Sequence, residues 1–228
     1  MKKTKKKVFV VALVVCLLAT ISVGTLAWFN AQDSVDNQFY IADSDDVTAD
    51  EIFSVDVYEY TEESPNEKVA ASATYKEILP GDVLKKEPHV ANTGHYDQYV
   101  RVFVTVSDAG AWIAAVGEDF AIEDVFVGFV ADNWDHVSKT ADENADTLTY
   151  VLYYKGILDG SDTKNDTASG TTSDITLFTD VKIPESLTQA QAAAFGADGF
   201  SISVKAQAVQ TANMGDSAYA AFQTFDTP

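Results

Sequence analysis

A chain of 228 residues with 46% apolar and 11% aromatic side chains is long enough to bury a real core and too apolar to stay disordered. It makes one domain or at most two. The formal charge of −20 excludes nucleic acid and anionic lipid headgroups as surface partners, leaving cations or a partner with a basic face.

That charge is unevenly spread. Five of the 15 basic residues, Lys2, Lys3, Lys5, Lys6 and Lys7, open the chain; without them ten basic residues stand against 35 acidic ones, a net −25. Residues 8–29 then carry no charge, and a helix of that length at about 1.5 Å per residue spans a bilayer. Ser22, Gly24 and Thr25 weaken such a helix just ahead of Thr25-Leu26-Ala27, which puts small residues at the −3 and −1 positions of a cleavage site. Residues 1–27 therefore read as a signal helix cut between Ala27 and Trp28, with a retained anchor as the alternative. The lone cysteine, Cys16, sits inside this run as one more apolar residue, because Val14-Val15 precede it where a lipoprotein needs a small one. The exported chain then has no disulfide, which a domain near 200 residues does not need.

Residues 28–50 come next. Val35, Asn37, Phe39 and Ile41 alternate with Asp36, Gln38, Tyr40 and Ala42, the period of a strand, before Asp43-Ser44-Asp45-Asp46 breaks it. Such a leading strand either packs as an edge of its own domain or is lent to a neighbouring molecule.

Residues 51–228 form the main domain, in which turn and strand signals repeat. Residues 52–61 alternate with Phe53, Val55, Val57 and Glu59 on one face, and 69–75 make a weaker strand. Pro80-Gly81-Asp82 and Asn92-Thr93-Gly94 punctuate the chain on either side of a strand, and 99–106, apolar on both faces, reads as a central strand. A short helix or an irregular crossing is expected over 109–116, a strand within 120–130, an acidic loop over 132–146 and a strand over 147–155. A long exposed loop follows over 156–174, rich in Gly, Ser, Thr, Asn and Asp. The last elements are a strand over 175–183 stopped by Pro184, a helix over 186–195 stopped by Gly196, and a strand over 200–210. About eight strands with one or two short helices make this an all-β chain, a β-sandwich of jelly-roll type.

Catalytic signals are sparse. Of the three histidines, His89 and His95 could join Glu87 and Asp97 as metal ligands, but HExxH is absent and surface histidines beside a turn are the simpler reading. No GxSxG elbow and no exported thiol supply a nucleophile. The pairs Glu118-Asp119 and Glu123-Asp124 read as a solvated acidic face. Acidic loops at Asp43-Asp45-Asp46, Asp132-Asn133-Asp135, Asp142-Glu143-Asp146 and Asp159-Asp162-Asp166 lack EF-hand spacing, so calcium would be held weakly and no cofactor is expected. Arg101, the only arginine, is expected to pair with a buried acid, with Asp82 nominated.

Three motifs resemble TasA and camelysin-type proteins of Gram-positive surfaces. The first is Gly24-Thr25-Leu26-Ala27-Trp28-Phe29-Asn30 with Asp33 and Asn37-Gln38-Phe39. The second is Leu79-Pro80-Gly81-Asp82, Asn92-Thr93-Gly94 and Tyr99-Val100-Arg101-Val102. The third is Phe178-Thr179-Asp180-Val181-Lys182-Ile183-Pro184, followed by the Ala-rich helix and Ala206-Gln207-Ala208-Val209-Gln210. The resemblance implies a jelly roll processed by a dedicated signal peptidase and secreted to the cell surface or biofilm matrix. There it would form homopolymeric fibres by donor-strand exchange, with an accessory nucleator as a further candidate partner. It also leaves open a camelysin-type metallopeptidase, and a monomeric adhesin or accessory protein is the third reading. Burying Val35, Phe39 and Ile41 gains on the order of 5–8 kcal/mol, whereas ordering ten residues costs on the order of 1–2 kcal/mol each. Ladder hydrogen bonds must close that gap, so assembly is expected to be conditional, promoted by acid or salt.

Overall fold

The computed structural model describes residues 30–34, 37–39, 53–61, 64–69, 75, 78–118, 121–161, 173–195 and 199–226. The expected signal helix and the Ala27–Trp28 cleavage point lie outside them. The chain is mostly β, built as two antiparallel sheets with few helices.

The larger sheet is organised around β5 (Gln98–Ser107). Its valines at alternate positions, Val100, Val102, Val104 and Val106, are at most 2% exposed, as β-branched residues are when both sheet neighbours and a facing layer crowd them. β5 is flanked by β8 (Thr147–Tyr154) and β11 (Ile202–Gln210). Beyond β8 lies β7 (Trp134–Asp142); beyond β11 lie β1 (Asn30–Ser34) and then β2 (Asn37–Phe39). The smaller sheet runs β3 (Val55–Thr61), β4 (Val83–Asn92), β10 (Asp180–Lys182) and β6 (Phe126–Val127), with β9 (Asp174–Thr176) also on β4. Val57, Val90, Phe126 and Val181 of this sheet meet the inner valines of β5 and Leu148, Tyr150 and Leu152 of β8 in one core.

The turn before β4 follows from its residues. Gly81 has φ 90°, a left-handed value that favours glycine, the Asp82 N–H donates to the Leu79 carbonyl at 3.1 Å, and the Asp82 side chain accepts from the Leu79 N–H at 2.7 Å. Two helices fall where expected: α1 (Ala109–Val116), and α2 (Gln189–Ala194), capped by Thr188, whose hydroxyl accepts from the Gln191 N–H at 3.3 Å.

Several segments differ from the sequence reading. The expected acidic loop over 132–146 holds β7, whose polar residues are mostly exposed because it forms the outer edge beside β8. The strand expected within 120–130 shrinks to two residues between 3₁₀ turns at Ile122–Asp124 and Ala131–Asn133. The strand expected over 175–183 splits into β9 and β10, because Leu177 and Phe178 between them both turn into the core at 1% and 0% exposure. The loop expected from 156 begins as a fixed segment: Leu158 is fully buried and pairs with Gln98 through both backbone bonds at 3.0 Å. The tail folds as a third helix, α3 (Ala218–Asp226). Of the weaker strand over 69–75, Val69 pairs with Glu59, and residues 70–74 lie outside the described residues.

Candidate functional site

The feature that best fits a function is the β11 edge and the strand that fills it. β1 pairs antiparallel with β11, Asn30 opposite Val209 through Ser34 opposite Lys205. β2 returns antiparallel on β1, with Ser34 opposite Asn37. The chain therefore enters as a two-stranded hairpin. Of the nominated donor residues, Asn37 and Phe39 belong to β2, the outer strand, while Val35 and Ile41 lie outside the described residues. The strand that contacts the sheet is Asn30–Ser34, NAQDS, which contains no β-branched or aromatic residue. Its five residues pair with β11 along a continuous backbone ladder, and their residue types carry little β propensity of their own.

β11 offers two different faces. Val204, Ala206 and Ala208 enter the core at 2%, 0% and 0% exposure, and Gln207 and Val209 are buried on the opposite face. Across the sandwich from β1 and β11 lies β3. Its inward residue Glu59 is buried and ion-paired with buried Lys86, and Glu59 Oε2 has no hydrogen-bond partner among the described residues. This end of the core is thus filled by a charge pair, which contributes far less than apolar packing of the same volume. The sequence signal was a charge at an inward position of an alternating strand.

The four nominated metal ligands do not converge on one point. His89 Nε2 lies 3.2 Å from Glu87 Oε1, and its Nδ1 lies 2.7 Å from Asp174, a residue the sequence reading did not nominate. His95 is exposed in the turn after β4, and buried Asp97 accepts from the Gly160 N–H at 3.0 Å. Among the described residues no three His, Cys, Asp or Glu side chains gather as a metal site. His89 instead stacks on Tyr58 with ring centroids 4.9 Å apart and meets Tyr60 edge-on at 5.2 Å. The Tyr58 hydroxyl donates to Asp174, and burial followed by that bond pushes its pKa well up. Burial also acts to raise the Glu87 carboxyl, yet hydrogen bonds and charge from Lys85 and His89 hold it below the usual range. The cluster is a hydrogen-bonded seam tying β9 to β3 and β4 on the outer face of the smaller sheet.

Among the described acidic residues, Asp124 accepts from the Ala121 N–H at 2.7 Å, Asp142 from Asn144 and Ala145 of its own loop at 2.9 and 3.1 Å, and Asp146 from Gly110 of α1 at 2.9 Å, while Asp135 lies 3.8 Å from Lys155. Asp43, Asp45, Asp46, Asp162 and Asp166 lie outside the described residues.

Arg101 finds an acid, but it is neither Asp82 nor buried: its partner is the exposed Asp226. Its guanidinium donates to Asp226 through both terminal nitrogens, one at 3.0 Å, and its Nε donates to Gln207 at 2.6 Å. Asp82 is committed to its own turn, and the tail that carries Asp226 was not read as a helix. The missed signal was the spacing of Ala218, Ala221, Phe222 and Phe225, an i, i+3, i+4, i+7 stripe.

Among the described residues no helix is long and apolar enough to cross a membrane. Comparison with family models, with curated proteins and with solved structures returns no match.

Proposed function

We propose that this chain is an exported, non-catalytic structural protein of the cell surface or biofilm matrix, and that its subunits join into fibres by lending the leading strand to a neighbour's sheet. One observation carries the reading. The strand on the β11 edge comes from the N-terminal side of the chain and pairs with β11 along a five-residue backbone ladder of mostly polar sequence, NAQDS. The same β11 edge in a second molecule offers an identical register, so exchange conserves the ladder while linking two chains. Jelly-roll connectivity, secretion through a cleaved signal and a homopolymer all belong to this proposal, supported by the three motifs and by the two-sheet architecture.

The test compares a chain beginning at Trp28 with one beginning at Asp46, followed by turbidity and electron microscopy at about pH 4 and with added cations, conditions that reduce the net −25 repulsion. Fibres from the longer chain alone support the proposal. Fibres from both chains, or from neither, overturn it.

A further inference from the structure

The strand that receives β1 is held on its outer face by the C-terminal helix. Beyond β11 the chain turns at Asn213 and Gly215, which have φ 62° and 103°, and α3 folds back over β11, β5 and β8. Ala218, Ala221 and Phe222, each at most 1% exposed, pack on Tyr99, Tyr153 and Val209. The helix is fastened at both ends. At its start the Ala220 N–H donates to the Ser217 hydroxyl at 3.3 Å, and the Tyr99 hydroxyl donates to the Gly215 carbonyl at 3.3 Å. At its end Arg101 binds Asp226, sits 4.4 Å from the Phe222 ring centroid and donates to Gln207 of β11. A guanidinium at a helix C-terminus also complements the helix dipole.

The β11 residues gripped in this way are Gln207 and Val209, and these are the residues opposite Gln32 and Asn30 of β1. We propose that α3 is a strap that sets how readily β1 parts from β11. With the helix seated, the β11 backbone is clamped in the geometry its partner strand needs. With the helix lifted, Val209 and Gln207 lose their cover, β11 is steadied only by β5 and the core, and the leading strand leaves faster. In its consequence for assembly the proposal rests on the strand-exchange reading; in its consequence for β1 it does not.

The experiment uses the chain beginning at Trp28 in three forms: unchanged, Asp226→Asn and Phe222→Ala. Backbone amide exchange is followed by mass spectrometry over 30–34 and 202–210, with β4 and β10 as internal controls, and fibre growth is followed by turbidity. The strap predicts that at least one variant speeds exchange over 30–34 and 202–210 by about three- to tenfold while β4 and β10 stay unchanged. Asp226→Asn keeps the apolar contacts, so it decides the matter if Phe222→Ala fails to fold. Unchanged exchange over 30–34 in every folded variant overturns the strap, as does an increase spread evenly over the controls. Selective loosening in chains that form no fibres upholds the strap and counts against strand exchange instead.

Discussion

Arg101 joins three elements through one side chain, so its removal and the removal of its partner should differ in cost. Arg101 is 8% exposed, whereas the Asp226 side chain is 44% exposed and can turn to water. Arg101→Met should destabilise by about 2–3 kcal/mol in urea unfolding, and Asp226→Asn by about 1 kcal/mol or less. Equal losses would mean that the pair itself, not the arginine's other contacts, dominates. Asn92 is a second such residue. Its amide donates to the Tyr96 and Leu158 carbonyls at 2.8 and 3.0 Å and its oxygen accepts from the Gly94 N–H and from Gln98 at 2.9 Å, filling all four of its positions. Asn92→Ala strands those partners at the end of the core and should cost on the order of 3 kcal/mol. Glu87 sets a pH dependence. Its folded pKa is depressed, so its contribution is present above the unfolded value and is lost as pH falls through the folded one. The stability gap between the native chain and Glu87→Gln should therefore shrink as the pH falls below about pH 4. A gap independent of pH would remove Glu87 from the account.

At the scale of elements, what could be read depended on whether a segment shows the core one clear face. β5, β8 and β11 were legible because alternation and β-branching agree, and α1 and α2 because helical spacing and end signals agree. β7 was hidden because an outer edge strand buries little, so its composition matches that of a loop. At the candidate edge, apolar alternation places a leading strand over Val35 to Ile41, of which Asn37 and Phe39 fall in β2 while Val35 and Ile41 lie outside the described residues. The pairing falls on Asn30–Ser34, whose residues carry no such pattern, because the ladder needs only backbone. The Asp97–Gly160 contact was invisible, since it joins loops distant in sequence. A Cβ on Gly160 would stand 2.1 Å from the His95 carbonyl oxygen, so the segment can approach only as glycine. Gly160→Ala should lower stability by about 1–3 kcal/mol and loosen the Leu158–Gln98 pairing, seen as faster amide exchange there. A neutral substitution would mean that the two loops part without cost.

For the whole molecule, a net −20, which becomes −25 in a chain beginning at Trp28, opposes self-association, and a five-residue ladder at one sheet edge has to overcome it. Fibres should therefore form under conditions that discharge or screen carboxylates, and only where the leading strand can reach a second β11 edge. The most direct measurement mixes two chains beginning at Trp28, one carrying Ser34→Cys and the other Lys205→Cys, positions opposed in the β1–β11 register. Neither chain has another cysteine, because Cys16 precedes their start. After growth at low pH or in salt and then oxidation, strand exchange predicts disulfide-linked pairs containing one chain of each kind. Fibres without that cross-link, with a single chain bearing both substitutions closing only on itself, would contradict it.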